Sequence, residues 1–532
     1  MFRLAYAYLA LPFILFTASW LRARYAIPVT GAVLFGLICA CFATHENGMS
    51  PRLGSRWGVC GCVLMLAAWV FLSGIGSFAY QTSDFEIRNA IFSDLISNRY
   101  PVIYHVEAGS SLLPQEPYML VYYIGYWLPA AMVGKIFGPV AGNLALYVWT
   151  LGGISLVFYF IARRLGRLTW TTAMIFIFWG SLYYCGSFLY KLAWALKLHS
   201  VAPLVRLVID DITLWAGTML YGDCNTGLLY WVFNQTIAPW LVMALLLNRM
   251  PRANLLFVYS LAFFQGPFAF LGLFPYVVYE SMRFLPLPRR SYPWTSLFNE
   301  ISAFISYQNA LCCLVLSVTA LYFSSNSAIA HFAIVPRSVV TYLVFILLSF
   351  GCVAMLLWRD NKKDPLFLIS IGILLPLPFV QLGYSLDFCA RVSIPACFMM
   401  MLLVMQQLHA HKKRKRDKML TLCLLVASFY GVKQITKSGV VVSFSVLGKT
   451  DFGRDLATGL SAQSNQGLKY LGTQLRLAEK SSYGLAKSVP SLEELPLSGT
   501  VNFKGRIESS FFYEHLARQN LTIKSAAAGQ TK

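Results

Sequence analysis

Charged residues are scarce in this chain of 532 residues, in which Asp, Glu, Lys and Arg together account for only 12%. An ordinary soluble domain carries about twice that share. Hydrophobic residues make up 57% of the chain, and apolar runs of roughly 18 residues or more, each sufficient to cross a bilayer, recur along it. The composition excludes a soluble globular protein and predicts an all-α polytopic membrane protein with about 11–13 transmembrane helices.

Acidic residues are the scarcer of the two signs, with 22 Asp and Glu against 43 Lys and Arg, which leaves a net charge of +21. The basic residues are not interleaved with aromatic residues on one face, so the charge does not indicate a nucleic-acid partner. They instead separate apolar runs, as in Arg163–Arg167 and Lys412–Arg416. This is the positive-inside pattern of membrane proteins. We therefore expect membrane lipid as a partner, no nucleic acid, and a cytoplasmic Lys412–Arg416.

The chain also lacks a phosphate-binding P-loop and a dinucleotide-binding fingerprint, which excludes a nucleotide-driven pump. Its 12 cysteines lie mostly within apolar runs, and they lack the spacing and the nearby histidines of a zinc site. Asp210 and Asp211 have the pattern of a metal-binding acid pair, but adjacent acids in a loop are usually solvated. We therefore name no metal ligand and leave the cofactor, including a divalent metal, open.

The predicted domain organisation is a membrane domain over residues 1–432 and an extracytoplasmic, polar C-terminal tail over residues 433–532. The tail is too poor in apolar residues to form a sizeable core of its own, so we expect it to cap the membrane domain from outside. Ser509–Tyr513 is its main apolar anchor. Two stretches of the membrane domain, 81–117 and 191–227, are expected to be outer loops.

Two features of the membrane domain complicate this layout. Three spans from a cytoplasmic start place the loop 81–117 outside, but they also place Arg22 and Arg24 outside, against the charge rule. Gln265-Gly266-Pro267 interrupts the apolar run Ala253–Tyr279 and predicts a broken helix or two half-helices, which are tolerated where protein or a cavity covers the backbone. Without an internal repeat of fixed period, an inverted-repeat transporter is disfavoured.

A polar segment that begins at Gln81 follows directly on the apolar run Trp57–Tyr80. Ionisable groups beside or within a membrane are costly to hold, so they indicate a function. Ser83 and Glu86 have capping-box spacing, and Asp84 and Arg88 have the spacing of an ordinary i,i+4 ion pair. These structural roles remain an alternative explanation of the acids.

The helical wheel of this segment separates its two leading acids. At about 100° per residue, Asp84 and Arg88 fall within the apolar half of an in-plane amphipathic helix, whereas Glu86 and Asp94 fall within the polar half. A carboxylate on the buried side lies over a membrane cavity, where partial desolvation makes it a better proton acceptor. We therefore prefer Asp84 to Glu86 as a catalytic residue.

An apolar segment, an outer loop that opens with an acid and continues as an in-plane helix, and a tyrosine-rich span (Tyr118–Tyr123) together resemble the GT-C superfamily of membrane glycosyltransferases. The resemblance covers about the first third of the chain. Later stretches, Tyr230–Gln235 and Asp387–Pro395, resemble segments of uncharacterised bacterial GT-C-like proteins. The chain lacks the Trp-Trp-Asp-Tyr-Gly signature and the large outer domain of oligosaccharyltransferases, so only Asp84 is carried over.

The resemblance implies a donor that is a polyprenyl-phosphate-linked sugar and a catalytic base or metal contact at Asp84, in a bacterial inner (plasma) membrane. Asp387 and Arg391 are expected at the outer junction of two spans. There Arg391 holds the lipid-linked phosphate, forms an interfacial ion pair with Asp387, or extends to the lipid headgroups. Arg88 and His105 are alternatives for the phosphate contact.

Asn234 and Gln235 lie within an apolar run, where buried amides must find partners. They line a sugar pocket in one interpretation and join helices by hydrogen bonds in the other. We therefore predict a glycosyltransferase that moves a sugar to an envelope glycan, lipid or protein on the extracytoplasmic side. The alternatives are a transporter or flippase of a lipid-linked molecule, or a non-catalytic membrane protein.

Overall fold

The computed structural model describes residues 1–44, 51, 56–106, 113–210, 213–283, 304–328, 331–383, 386–410, 414–448, 455, 458, 489–508 and 510–519. Helices dominate the described part of the chain. The first thirteen are α1 (Phe2–Trp20), α2 (Ala23–Phe42), α3 (Arg56–Leu72), α4 (Phe85–Ser97), α5 (Leu128–Phe137), α6 (Pro139–Leu165), α7 (Trp170–Phe178), α8 (Tyr183–Lys197), α9 (Ala202–Ile209), α10 (Asn225–Trp231), α11 (Phe233–Leu247), α12 (Leu255–Gln265) and α13 (Pro267–Met282).

The later helices follow the undescribed residues 284–303. They are α14 (Tyr307–Ser324), α15 (Val339–Asn361, with a π-helical turn at Leu347–Gly351), α16 (Pro365–Leu374), α17 (Asp387–Val392), α18 (Ile394–His409), α19 (Lys415–Ala427) and α20 (Phe429–Gly448). Five short strands complete the fold: β1 (Ile103–His105), β2 (Pro117–Leu120), β3 (Phe332–Ile334), β4 (Val380–Leu382) and β5 (Lys504–Arg506).

Among the described residues, six helices are long and apolar enough to cross a membrane, and α7 with α8 forms a seventh candidate that is bent by 46°. The chain is therefore a multi-pass helical membrane protein. The count is lower than the 11–13 spans that the sequence predicts. Five further apolar helices of the described residues are only 10–17 residues long. Breaks at Trp179–Leu182, Val232 and Gly266 also divide three of the apolar runs into shorter helices.

One end of the helical bundle is rich in basic residues, and we call it the basic end. Arg249, Arg283 and Asp364 lie within electrostatic range of Arg164 at the C-terminus of α6. Arg414 and Arg416 both pair with Asp360 at the C-terminus of α15. Helices α6, α11, α13, α15 and α18 therefore have their C-terminal ends at the basic end.

The opposite end carries a three-stranded antiparallel sheet, and we call it the sheet end. Strand β2 lies between β1 and β5, so the tail completes a sheet that the first loop begins. Phe512 of the tail is fully buried against the rings of Phe16 and Tyr322. The anchor therefore packs as the sequence predicts for Phe512, and Ser509 lies outside the described residues.

The tail also explains why Arg22 lies at the sheet end despite its charge. Its Nε atom donates a hydrogen bond to the Ala517 carbonyl at 2.9 Å, and its Nη2 atom donates to the Glu514 carbonyl. These carbonyls terminate the π-helical turn Phe512–Leu516, so the guanidinium satisfies backbone acceptors that the turn leaves free. A basic residue used in this way is retained for structure and does not report the membrane orientation.

Helix α4 differs from the prediction at two positions. No capping box forms, because α4 begins at Phe85 with Asp84 as N-cap and no side-chain capping bond. Asp94, expected on the polar half, is buried. It accepts hydrogen bonds from the Tyr104 hydroxyl and the Leu492 amide, both at 2.9 Å. The tail and β1 cover this face of α4. A helical wheel considers only the residues of the helix, so it could not predict this burial.

Breaks in the helices surround the region beneath α4. Where α7 ends, its carbonyls at Phe176 and Ile177 accept hydrogen bonds from the side chains of Asn225 and Thr226, at 2.8 and 2.7 Å. A broken helix leaves such carbonyls without partners in its own chain. Helix α10 therefore starts against the end of α7, and the segment before it enters the bundle.

The predicted break at Gly266 is observed, and α12 and α13 lie side by side. The rings of Tyr259 and Phe270 stack with their centroids 4.1 Å apart. Gly272 of α13 approaches α17 so closely that a Cβ atom there would lie 2.1 Å from the Val392 carbonyl oxygen. The glycine therefore sets the position of α17, which carries Arg391.

Candidate functional site

A cavity of about 290 Å³ opens between α4, the α7–α8 break, the segment before α10 and α17. Its volume is at the lower end of the range for small-molecule sites. Three carboxylates line it, Asp84, Asp223 and Asp387, together with the guanidinium of Arg391. Aromatic side chains supply much of the remaining wall, namely Tyr183, Tyr184, Tyr221, Trp231 and Tyr430.

Asp84 and Arg88 form an ion pair of 3.0 Å at one side of the cavity. The Asp84 side chain is 48% exposed, whereas that of Arg88 is 7% exposed. The Arg88 guanidinium lies over the ring of Phe233 at 5.4 Å, and its Nη1 atom has no hydrogen-bond partner among the residues that the structure describes. Burial lowers the Arg88 pKa, and the charge of Asp84 partly opposes this shift.

Asp387 and Arg391 form the second ion pair, across one turn of α17. Here too the acid is exposed, at 56%, and the arginine is largely covered, at 11%. Gly222 lies opposite, where a Cβ atom would be 2.3 Å from the Ala390 carbonyl oxygen. The Gly222 amide also donates to the Ser393 hydroxyl at 2.8 Å. Close approach of the backbone at Gly222 therefore holds α17 against the cavity.

The two ion pairs belong to one electrostatic group. Asp387 and Arg391 both act on the pKa of Arg88. Burial raises the pKa of Tyr122, and the nearby charges of Arg88 and Arg391 oppose that shift. The Tyr122 hydroxyl therefore lies within electrostatic range of both guanidinium groups. Tyr122 was not predicted as a site residue from the sequence.

Asn234 and Gln235 begin α11 beside this group and are both buried, each with 1% of its surface exposed. The Asn234 amide faces the Tyr122 hydroxyl without completing a hydrogen bond, and Gln235 Oε1 also has no partner among the described residues. Buried amides that lack partners are rare in folded proteins and call for an explanation. Neither residue lines the cavity itself.

The third carboxylate of the cavity, Asp223, was not predicted as a site residue from the sequence. It lies in the segment before α10 and is only 8% exposed, and its Oδ2 atom has no hydrogen-bond partner within the described part of the chain. Burial raises its pKa to about 7, while a hydrogen bond from the Ser181 side chain acts in the opposite direction. The exposed Asp84 and Asp387 mark the mouth of the cavity, and the buried Asp223 marks its floor.

The remaining predicted residues lie elsewhere. His105 ends β1 with its side chain exposed, and its backbone amide donates to Glu493 of the tail at 2.6 Å. It does not line the cavity. Asp210 pairs with Lys191 at 3.2 Å, and its neighbour Asp211 lies outside the described residues. Within the described residues, no three potential ligands are grouped to hold a metal ion.

The arrangement provides one class of chemistry. Carboxylates at the mouth can accept a proton, guanidinium groups can hold an anion, and aromatic walls can cover an apolar or sugar surface. No protein-family model, curated protein or solved structure matches the chain. The function must therefore be inferred from the geometry of the cavity.

Proposed function

We propose that the protein is a membrane glycosyltransferase of the GT-C type, which uses a polyprenyl-phosphate-linked sugar as donor. The observation that carries this proposal is the convergence of Asp84, Asp387 and Arg391 on one cavity of about 290 Å³. Asp84 lies some 300 positions before Asp387 and Arg391 in sequence, yet all three residues line a single volume at the start of α4. The acceptor would be an envelope glycan, a lipid or a protein.

In this reaction the acceptor hydroxyl oxygen attacks the anomeric carbon of the sugar, and the bond from that carbon to the phosphate oxygen breaks. Asp84 takes the proton of the hydroxyl, and the lipid phosphate leaves as an anion. Arg391 binds that anion, with Arg88 behind it, because a guanidinium can donate two parallel hydrogen bonds to phosphate oxygens. The guanidinium groups therefore stabilise the charge that develops on the leaving group.

The orientation that we propose places the sheet end outside and the basic end in the cytoplasm. Arg164, Arg249, Arg283, Arg414 and Arg416 all lie at the basic end. Positive-inside insertion retains such residues on the cytoplasmic side. The mouth of the cavity would then face the extracytoplasmic side of a bacterial inner membrane, together with the C-terminal tail.

The second candidate is a transporter or flippase of a lipid-linked molecule. The sequence offers one broken segment, whereas the structure has breaks between α7 and α8, α10 and α11, and α12 and α13. Several broken helices around a cavity are a feature of transporters. This observation favours the second candidate more than the sequence did, and it must be tested alongside the first.

The test is an assay with purified protein in proteoliposomes that contain polyprenyl-phosphate donors with different sugars. We expect the unmodified protein to release polyprenyl phosphate and to form a glycosylated product, and we expect Asp84→Asn to reduce both. Transfer that persists in a folded Asp84→Asn variant would remove Asp84 as the base. Translocation of an intact donor without product would replace the glycosyltransferase by the flippase.

A further inference from the structure

The floor of the cavity carries polar atoms that the proposed reaction does not use. Asp223 Oδ2, Thr213 Oγ1 and Trp231 Nε1 are each buried, line the same cavity, and have no hydrogen-bond partner among the described residues. A buried polar group without a partner destabilises the folded state. The Tyr183 hydroxyl in the same wall is a fourth such atom. Four of them around one volume indicate that the site is built to hydrogen-bond a ligand.

Although Arg337 acts on the neighbouring Cys389, no positive charge among the described residues acts on the pKa of Asp223 itself. Its segment contributes Tyr221 and Cys224, α8 contributes Tyr183, α17 contributes Cys389 and α18 contributes Cys397. The Ser181 hydroxyl hydrogen-bonds to it from the α7–α8 break. The charged residues of the cavity wall lie at its mouth, where Arg391 is already paired with Asp387.

A second, smaller cavity of about 10 Å³ adjoins Asp223 on its far side. Ser349, in the π-helical turn of α15, lines it and has a buried hydroxyl without a hydrogen bond. Such turns within α-helices frequently occur at functional sites. Asp223 therefore lines both the main cavity and a small, mainly apolar pocket that contains the Ser349 hydroxyl.

We propose that Asp223 is a proton-binding residue at the cavity floor, which in its protonated form donates a hydrogen bond to an oxygen of a polyhydroxylated ligand. Burial opposes the charged form and raises the pKa of Asp223 to about 7, so the protonated form is populated up to neutral pH and is lost above it. Thr213 and Trp231 contribute two further donors. The choice of a sugar as ligand rests on the proposed function, whereas the proton-binding site does not.

The carboxylic acid can be detected without any substrate. Dicyclohexylcarbodiimide is an apolar reagent to which a protonated carboxyl adds: the carboxyl oxygen bonds to the central carbon, the proton moves to a nitrogen, and the adduct rearranges to a stable N-acylurea. We expect mass spectrometry to detect this adduct on the peptide that contains Asp223. With a pKa of about 7, labelling should fall about tenfold from pH 6 to pH 8.

The controls are two variants of the full chain in detergent. Asp223→Asn must remove the adduct from that peptide, and Asp84→Asn must leave it, because Asp84 lies at the mouth of the cavity. Labelling that is absent at pH 6, or that does not change between pH 6 and pH 8, would overturn the proton-binding site.

The ligand is tested by protection, in a detergent that carries no sugar. Octyl β-glucoside is compared with an octyl tetraethylene glycol ether, which has the same apolar chain without the ring hydroxyls. We expect the glucoside to slow the labelling of Asp223 several-fold more than the ether does. Equal protection would overturn the hydroxylated ligand.

Failure of the proposed function is a separate result. If no donor supports transfer while labelling and selective protection are observed, the glycosyltransferase is wrong and the site binds a hydroxylated molecule for another purpose. If transfer occurs but Asp223 is not labelled, the reaction stands and the proton-binding site is wrong. In an active protein, the amide introduced by Asp223→Asn should still donate a hydrogen bond at every pH. The KM for the sugar substrate should therefore rise between pH 6 and pH 8 in the unmodified protein but not in this variant.

Discussion

The Arg88 side chain, 7% exposed, is ion-paired at 3.0 Å to the carboxylate of Asp84, 48% exposed. The acid therefore has two roles open to it, since it faces the cavity and also neutralises a buried cation. Removing one partner of a buried pair leaves an uncompensated charge, which is more costly than replacing both partners. The structural role and the catalytic role of Asp84 predict different behaviour in a double variant.

We expect Asp84→Asn to lower the stability of the protein by about 1–3 kcal/mol and to abolish transfer. The double variant Asp84→Asn with Arg88→Met should recover part of that stability, because it removes the buried charge, but it should not recover transfer. Thermal unfolding in detergent measures the first effect, and product formation measures the second. Recovery of transfer by the double variant would show that Asp84 acts only as the partner of Arg88.

Arg391 supplies the most direct test of anion binding. We expect Arg391→Ala to lower kcat by about 10²–10³ because it removes the donor nearest the leaving phosphate. Arg391→Lys should recover only part of this loss, since an ammonium cannot donate the paired hydrogen bonds of a guanidinium. Arg416→Ala is the matched control, because Arg416 is also a largely covered arginine that pairs with an aspartate, but at the basic end. A similar loss in both alanine variants would indicate a general effect on folding.

A substitution of Gly222 tests whether donor binding needs the close approach of α17 to the cavity. A methyl group there would lie 2.3 Å from the Ala390 carbonyl oxygen, so Gly222→Ala must displace α17 and the Arg391 that it carries. We expect lower thermal stability and a raised KM for the donor. Gly372→Ala is the control, because a Cβ atom there meets nothing within 4 Å. Donor affinity equal to the unmodified protein in folded Gly222→Ala would contradict this view of the site.

The raised pKa of Asp223 makes the free energy of unfolding depend on pH. Its pKa is about 7 in the folded chain, against an ordinary value of about 3.9 in an unfolded one. Between these values the folded state binds more protons, so the contribution of this residue to the free energy of unfolding is complete below pH 4 and falls as the pH rises to 7.

Asp223→Asn lacks this titration. We therefore expect the melting temperature of Asp223→Asn minus that of the unmodified protein to increase between pH 5 and pH 7.5 and then to level off. Scanning fluorimetry in one detergent over this range gives the two curves. A constant difference would show that Asp223 does not titrate in this window.

The fold class and the buried position of Arg88 could be predicted from the sequence, because apolar length and helical periodicity are local properties. The number of spans could not be predicted in this way, because the breaks in the helices depend on partners far along the chain. At the end of α7, for example, Asn225 and Thr226 hydrogen-bond to the carbonyls of Phe176 and Ile177. The burial of Asp94 was missed for the same reason, because Tyr104 and Leu492 supply its partners.

The candidate site was predictable only in part. A charge at the end of an apolar run can be recognised in the sequence, and this pattern identifies Asp84, Asp387 and Arg391. The structure brings these three residues to one cavity. The sequence around Asp223 does not indicate a site residue, because a single acid in a half-apolar loop is typical of solvated segments. Its significance comes from burial by four different elements, which only the tertiary structure reveals. His105 carries a local signal but lies apart, on the sheet.

The central claim is that a lipid-linked sugar occupies this cavity, and a photoreactive donor tests it most directly. A polyprenyl-phosphate sugar with a diazirine on the sugar ring would be irradiated with the full chain in proteoliposomes, and the labelled peptides identified by mass spectrometry. We predict labels on the segments around Trp231 and Tyr430, competed by unlabelled donor and strongly reduced by Arg391→Ala. Competable labels confined to other parts of the chain, or labels unaffected by Arg391→Ala, would contradict the account.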